Sequence, residues 1–534
     1  MKIFIGVAWP YVNGPLHIGH LAGAYLAPDI FARYHRSKGN EVLMVSGSDM
    51  HGTPIIVAAE KEGVNPADFA EKYHQVDKRV FKRLGITFDL YTKTSTQNHQ
   101  KIAQKIFLTL LQKNYLFEKK VKQLFCSECR RFLPDRFVEG GCPHCGYEEA
   151  RGDQCDHCGH TLDPTELNSP YCLVCRSKPV LKESEHFFLD LPRFSEKLTS
   201  WIREQHHWRK NVRNTSLGWL KQGLKPRAIT RDLDYGVPVP IEDFEDRVLY
   251  VWFEAVIGYL SASIEWAESK REPTAWEDFW KGNSRHYYFI GKDNIPFHTL
   301  IWPAMLMGYD ESLNLPYDVP ANQYLNIKGE KLSKSRGTYT AVEELLDKYR
   351  VSAVRFYFTN SMPEERDTNF SHRDFVKQNN GVLVGTIGNF INRTLVFVEK
   401  FFGGCIPEGE IETDIEKEIE GSFQLVGGYL EECHFQKALG EVVSLAKFGN
   451  LYFDQNKPWE KIKTDPKECK NSIYNCVQLV SALQILIEPF LPHASTELKK
   501  QLGIALETRN VWRFEKLPKG SKIGQVHPLF LKFT

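Results

Sequence analysis

Net charge is almost absent from this sequence: 68 lysines and arginines face 67 aspartates and glutamates, for a formal charge of +1. No global field draws a polyanion, so any such partner must be met by local basic patches. The Gly-x-x-x-x-Gly-Lys-Ser/Thr loop is also missing, so a bound nucleotide must be held by another device. There is no low-complexity tract, and no internal repeat beyond a cysteine pattern. The opening apolar stretch is interrupted by Pro10, Asn13 and Gly14, too early for a signal peptide or a membrane span. The expected location is the cytoplasm, without a membrane partner.

A chain of 534 residues exceeds what one core organises and predicts three or four domains. Residues 1–115 alternate apolar strands with amphipathic helices: strands over 3–8 and 41–46, a helix from 21 to 38, and helices beyond Pro66. That alternation predicts a parallel sheet with helices on its faces. An insert occupies 116–230. The alternation resumes over 231–325, with strands at 248–252 and 286–290 and a helix through Tyr259 and Ile264. A connecting segment, 326–375, carries the run Lys331-Leu332-Ser333-Lys334-Ser335. From 376 to 534 helical periodicity dominates (Val382, Ile387, Phe390, Ile391, Leu395) and ends in a tail. The predicted fold class is α/β: a Rossmann-like parallel sheet split by a zinc-knuckle insert and followed by an α-helical bundle.

Eight of the twelve cysteines form four Cys-x-x-Cys pairs: Cys126/Cys129, Cys142/Cys145, Cys155/Cys158 and Cys172/Cys175. Each pair can place two thiolates on one metal through a tight turn, and two pairs complete a tetrahedral site. Two structural zinc ions are expected, in closed sites. The clustering is wrong for disulfide or redox chemistry. Spacing permits a nested pairing, inner with inner and outer with outer, and equally a sequential one. Histidines 144, 157 and 160 are spare candidate ligands. The other four cysteines are scattered through the helical region as ordinary packed residues.

Two short signatures stand about three hundred residues apart. Pro15-Leu16-His17-Ile18-Gly19-His20 follows the first apolar strand and precedes a helix. Unpaired N–H groups and the helix dipole favour an anion at such a turn, and two histidines add donors that follow charge building on a phosphoryl group. The lysine run carries two cations between Gly329 and Gly337; alone, it reads as a solvated surface turn. In this order the two resemble the phosphate-handling elements of class I aminoacyl-tRNA synthetases. The implied reaction is attack by a carboxylate on the α-phosphate of ATP, helped chiefly by positioning and charge.

Further motifs narrow the likeness. Ala8-Trp9-Pro10-Tyr11-Val12-Asn13-Gly14, Ser48-Asp49-Met50-His51-Gly52-Thr53-Pro54, Tyr250-Val251-Trp252 through Gly258-Tyr259, and Phe289-Ile290-Gly291-Lys292-Asp293 resemble the methionyl-tRNA synthetases. So do His298 followed by Ile301-Trp302-Pro303-Ala304, and Phe132-Leu133-Pro134-Asp135-Arg136 within the insert. The resemblance implies activation of L-methionine with ATP and Mg²⁺ to methionyl-adenylate and pyrophosphate. Transfer to tRNA(Met), initiator and elongator, follows. It implies catalytic roles for His17, His20, Lys331 and Lys334. ATP would be bound by these four with Asn13, Gly14, Gly19, Gly291, Asp293 and Ser335. Ala8, Trp9, Tyr11, Trp252, Ala255, Tyr259 and His298 would line the methionine side-chain pocket, where aromatic rings suit a polarisable thioether. Asp49 would receive the ammonium. Asn389 and Arg393, on one helix face, and Trp459, in a connecting segment, would read the anticodon.

Each of these residues also has a plainer reading: Asp49 as a cap or loop carboxylate, Trp252 and Tyr259 as core, Asn389 and Arg393 as a solvated pair. Trp9, Val256, Leu332 and Asn294-Ile295-Pro296 depart from the family pattern and affect the pocket's shape. The rivals are another class I synthetase and a catalytically inert tRNA-binding relative. The stretch between the signatures is too short for the editing insert of the branched-chain enzymes, and the zinc ligands do not sit in the amino-acid pocket as in the cysteine enzyme. The intact histidines, lysines and Asp49 argue against the inert relative. The tail from Lys516 is too short for a dimerisation domain, and a monomer is expected.

Overall fold

The computed structural model describes residues 1–152, 155, 157, 158, 160, 162–327, 330, 331, 340–507 and 511–533, with 135, 330 and 331 described in backbone only. Leu332 to Ser335 therefore lie outside the described residues, as do the side chains of Lys331 and Lys334.

Five strands form the central sheet: β1 (Lys2–Val7), β2 (Glu41–Ser48), β3 (Leu90–Lys93), β4 (Ser284–Gly291) and β5 (Ala321–Asn322). Their spatial order is β5-β4-β1-β2-β3, and every pairing is parallel. Ile5 pairs with Tyr287 on one side and Met44 on the other. Helices cover both faces, so β1 is apolar without alternation and its residues 3–7 are buried. The order reverses between β1 and β4, and the crevice beyond their C-terminal ends is where such sheets bind ligands.

Several boundaries differ from expectation. The helix expected at Leu21 begins three residues earlier, with Ile18–His20 followed by a wide π turn over Leu21–Tyr25 and then an α-helix, Leu26–Ser37. The strand expected over 248–252 is only Val248–Leu249; Val251 opens the helix Val251–Ser269, so Trp252 stands on a helix. Trp459 lies in a short helix, Pro458–Thr464, not in a connecting segment, because Pro458 occupies the first helical turn where a missing N–H costs nothing. Two more π segments, Phe297–Ile301 and Asn379–Gly388, carry His298 and precede Asn389.

The insert leaves the sheet domain as a long antiparallel hairpin. Leu116–Cys126 pairs with Val180–Leu189 over ten positions, from Leu116↔Leu189 to Phe125↔Val180. The cysteine knuckles sit at its far end. After β5, Leu325–Ile327 pairs with Glu330–Lys331 and with Thr368–Phe370.

The C-terminal part of the chain is a helical bundle built on Asn389–Phe402, Thr413–Glu431, Phe435–Asn456 and Pro466–Leu486. It is fixed to the sheet domain by a buried ionic knot. The fully buried Arg355 donates to Asp29 at 2.8 Å and to the carbonyls of Leu84, Pro489 and Phe490, while Arg33 donates to the same Asp29 at 3.0 Å. Paired and fully hydrogen-bonded, these charges are tolerated in the interior. The tail folds back across the molecule: Trp512 packs edge-on between Tyr34 of the sheet domain and Phe423 of the bundle, and Phe533 packs against Tyr349 and Phe375 of the connecting segment.

Candidate active site

At the C-terminal end of β1 the chain bends through Gly14, whose φ of 146° suits glycine, into the His-Ile-Gly-His turn. The two histidines cap each other. The His20 N–H donates to His17 Nδ1 at 3.3 Å, and the His17 N–H donates to His20 Nδ1 at 3.2 Å. Their rings stack with centroids 3.7 Å apart. Because each Nδ1 accepts, each neutral ring must carry its hydrogen on Nε2. The turn therefore presents two imidazole N–H donors beside the start of a helix.

The described residues on either side of the second signature meet this turn. The Ile18 N–H donates to the Thr340 carbonyl at 3.1 Å, the Val342 N–H donates to the Leu16 carbonyl at 2.9 Å, and His17 bridges Ala341. Upstream, Leu325–Ile327 lies beside Ile18–His20 and pairs with Glu330–Lys331. Both described ends of the lysine segment thus meet the histidine turn.

Gly291 and Asp293 follow β4 on the other side of the switch point. A methyl group built on Gly291 would meet nothing within 4 Å, so this backbone is open to close approach. The Tyr324 hydroxyl donates to the Asp293 carboxylate, and Lys292 pairs with Asp367 at 2.8 Å.

The residues named for the methionine side chain form an aromatic cluster. Ala8, Tyr259, His298 and Asp49 are buried, while Trp9, Tyr11, Trp252 and Ala255 are half-buried. The Trp252 indole N–H donates to the Tyr11 hydroxyl, and Trp252 packs edge-on against Phe297 at 4.6 Å. Burial lowers the His298 pKa to about 4, so the ring is neutral. Its Nδ1 lies 2.9 Å from the Asn294 carbonyl, which only accepts, so the hydrogen is on Nδ1. Nε2 then accepts from the Tyr259 hydroxyl at 2.8 Å. That proton is committed to His298, which leaves the Tyr259 oxygen only lone pairs for a further contact.

Trp9 is accommodated by two glycines. A methyl on Gly258 would stand 2.7 Å from the indole; one on Gly47 would overlap the ring and lie 2.6 Å from the Thr92 carbonyl oxygen. Gly47→Ala should therefore displace Trp9, lower stability by about 1–3 kcal/mol and raise the Michaelis constant for the amino acid. Gly291→Ala should leave the melting temperature unchanged. Thermal unfolding of both variants checks the pair, and equal melting temperatures would refute the packing argument.

Asp49 follows β2 and continues the sheet, bridging Tyr11. One of its carboxylate oxygens accepts from the His51 N–H at 3.3 Å. Burial, and then the nearby Glu254 carboxylate, push the Asp49 pKa well above the usual carboxylate range. Arg231, which the sequence reading did not single out, stacks its guanidinium 3.7 Å from the Tyr250 ring centroid. With His51, Tyr235 and Tyr250 it lines a crevice next to Asp49. Its only signal in the sequence was a basic residue at the point where the insert rejoins the sheet.

The eight knuckle cysteines gather into two groups, Cys126/Cys129/Cys172/Cys175 and Cys142/Cys145/Cys155/Cys158, so the pairing is nested. Within each group the sulfurs lie within 4.8 Å of one another. The closest approaches are 3.4 Å (Cys126–Cys175), 3.8 Å (Cys129–Cys172), 3.8 Å (Cys142–Cys158) and 3.7 Å (Cys145–Cys155). A tetrahedron with metal–sulfur bonds of about 2.3 Å has edges of about 3.8 Å, so both donor sets fit one metal ion of that size. Arg130, Gly146 and Arg176, each just after a Cys-x-x-Cys pair, have φ of 53°, 74° and 62°, as the tight turn requires.

In the bundle, Asn389 donates to Asn450 at 2.9 Å and Arg393 to Asp454 at 2.6 Å. The Arg393 guanidinium lies 4.4 Å from the Phe453 ring centroid, and Phe453 stacks on Trp459 at 6.1 Å. The three residues named from the sequence thus converge on one helix, Phe435–Asn456, with Trp459 44% exposed.

Residues 3–395 match the family described as tRNA synthetases class I (M), and residues 404–534 match the anticodon binding domain of methionyl tRNA ligase. The chain is 50% identical over 537 residues to a methionine–tRNA ligase of Dehalococcoides mccartyi, covering 99% of this chain and 97% of that one. It is 44% identical over 533 residues to a methionine–tRNA ligase of Bacillus cereus, covering 99% and 96%. Among solved structures, Mycobacterium tuberculosis methionyl-tRNA synthetase in complex with methionyl-adenylate shares the fold, with a TM-score of 0.82 at 23% identity over 99% of each chain. From the first strand to the tail, the chain belongs to the methionyl family of class I tRNA synthetases.

Proposed function

We propose that the enzyme activates L-methionine with ATP and transfers it to tRNA(Met). The observation that supports this reading is the pairing of Leu16–Ile18 with Thr340–Val342, which joins the histidine turn to the chain just after the lysine run. The methionine carboxylate attacks the α-phosphorus, the bond to the β-phosphate oxygen breaks, and pyrophosphate leaves. His17 and His20 donate from Nε2 to the phosphoryl oxygens as charge builds, and Lys331 and Lys334 neutralise the departing pyrophosphate with Ser335 beside them. Asn13, Gly14, Gly19, Gly291 and Asp293 hold the nucleotide, with Mg²⁺ supplying charge neutralisation on the phosphates. The test is ATP–pyrophosphate exchange with a panel of amino acids: methionine alone should support it, and exchange with leucine or cysteine instead would overturn the assignment.

Asp49 pairs with the substrate ammonium. Because its pKa is raised, first by burial and then by Glu254, it protonates at a higher pH than an exposed carboxylate. Only the ionised form pairs with the ammonium. The Michaelis constant for methionine should therefore climb on acidification while ordinary carboxylates are still charged, and Asp49→Asn should flatten that slope. A pH profile of exchange at subsaturating methionine reads it directly.

The two cysteine groups hold zinc, which closes each knuckle with four thiolates and leaves no position for substrate. In the bundle, Trp459 stacks a splayed anticodon base while Asn389 and Arg393 reach base edges. Trp459→Ala should remove about 1–3 kcal/mol of stacking, raising the Michaelis constant for tRNA with pyrophosphate exchange untouched. Aminoacylation at parental tRNA concentration dependence would contradict this role.

A further inference from the structure

Behind Asp49 lies a buried group that the reaction above does not use. Glu254 is fully buried on the helix Val251–Ser269, and its two carboxylate oxygens meet two different imidazoles. Oε1 is 2.7 Å from His51 Nδ1, and Oε2 is 2.5 Å from His99 Nε2. His51 is 6% and His99 1% exposed. His99 continues the network: its Nδ1 lies 2.9 Å from the Ser261 hydroxyl, which donates to the Gly258 carbonyl at 3.2 Å. The neighbouring Asn98 donates to the Ser261 carbonyl at 2.8 Å.

This network touches the amino-acid site at three points. The His51 N–H donates to Asp49 itself. The His99 ring lies 6.5 Å from that of Trp9, one of the residues named for the methionine side chain. Glu254, Gly258 and Ser261 share one helix face by their spacing, and the same helix presents Trp252, Ala255 and Tyr259 on the other. Three ionisable groups far from solvent are tolerated only when paired, and removing one strands its partners. Nothing in phosphoryl transfer requires them, yet they join the strand end carrying Asp49 to the helix carrying the pocket.

We propose that Glu254, clasped between His51 and His99, is a positioning residue that holds the Asp49 carboxylate in register with the pocket helix for the substrate ammonium. The proposal rests on the reading of Asp49 given above. It assigns Glu254 no contact with substrate; it acts through His51.

Glu254→Gln keeps the shape and removes the charge. Measured at alkaline pH, where Asp49 is ionised in both enzymes, it should raise the Michaelis constant for methionine by about tenfold or more, since a buried imidazole loses its carboxylate. The Michaelis constant for ATP and kcat at saturating methionine should stay within about twofold of the parent. Glu254→Asp, which keeps the charge, should recover part of the loss, and His99→Gln should reproduce it from the far side. An analogue of methionine lacking the amino group should inhibit parent and Glu254→Gln equally, because it makes no use of Asp49. An unchanged methionine constant in Glu254→Gln, or an equal weakening of the desamino analogue, would overturn the proposal; the latter would make Glu254 a packing residue. Asp49→Asn separates the two readings. If it leaves methionine binding intact, the role of Asp49 fails; if it weakens binding while Glu254→Gln and His99→Gln do not, only the role of Glu254 fails.

Discussion

Replacing His20 with alanine should slow methionine-dependent pyrophosphate exchange by about 10²–10³-fold, the usual cost of losing one donor aimed at developing charge. On the proposed reading two functions are joined in this residue: Nδ1 caps the His17 N–H, while Nε2 donates to phosphate. Side-chain length separates them. Asparagine places its amide near the Nδ1 position and can keep the cap, whereas glutamine places an N–H near the Nε2 position and can keep the donor. His20→Gln should therefore retain clearly more activity than His20→Asn, with the Michaelis constant for methionine unchanged in both. Parental exchange by His20→Asn would show that the residue serves the fold of the turn and not the phosphate.

Loss of the outer cysteine group should cripple amino-acid binding, and loss of the inner group should not. Both groups share one apolar cluster with Leu124, Leu133, Phe137 and Ile56 of the helix Thr53–Glu62, but the outer group is the one whose Cys126–Cys129 turn leads directly into Arg131, which contacts that helix. Arg131 reinforces the contact with two hydrogen bonds to Glu60, at 2.7 and 3.2 Å. That helix starts from Gly52, three residues after Asp49, so the knuckle braces the loop that holds the carboxylate. Structural zinc contributes about 10–16 kcal/mol to folding of its module. Cys172→Ser should lower bound zinc from two ions to one per chain and raise the Michaelis constant for methionine by more than about tenfold. Cys155→Ser should lose the same amount of metal with methionine activation close to parental. Metal analysis alongside exchange kinetics checks both, and identical kinetics for the two variants would refute the bracing.

How much of this could be read from the chain depended on whether the physics was local. Strand, turn and helix follow each other within residues 2–37, so the strand–turn–helix that carries His17 and His20 was legible from apolar patterning and helix-start chemistry. The same held for the four knuckles, whose ligands are three residues apart. The nesting of those knuckles was not, because it is decided by the hairpin joining Leu116 to Leu189 and not by any spacing. The Glu254 network escaped for the same reason, its contacts spanning 203 residues to His51 and 155 to His99. Trp459 was misplaced through a signal that was present but unused: Lys457-Pro458 is a helix start. Trp9 looked like a misfit until Gly47 and Gly258, contributed by two other elements, were seen to make room for it.

The hairpin has one more implication. Leu116 and Leu189 lie side by side, so the whole excursion to the metal sites closes on itself at the surface of the sheet domain. The entropy of bringing ends together rises only with the logarithm of the length between them. For the nucleotide-binding sheet, this long detour costs little more than a tight connection. If the knuckles bind the zinc proposed above, the sheet can assemble before they acquire it, and ion capture is expected as a late step that raises methionine affinity in an already compact molecule.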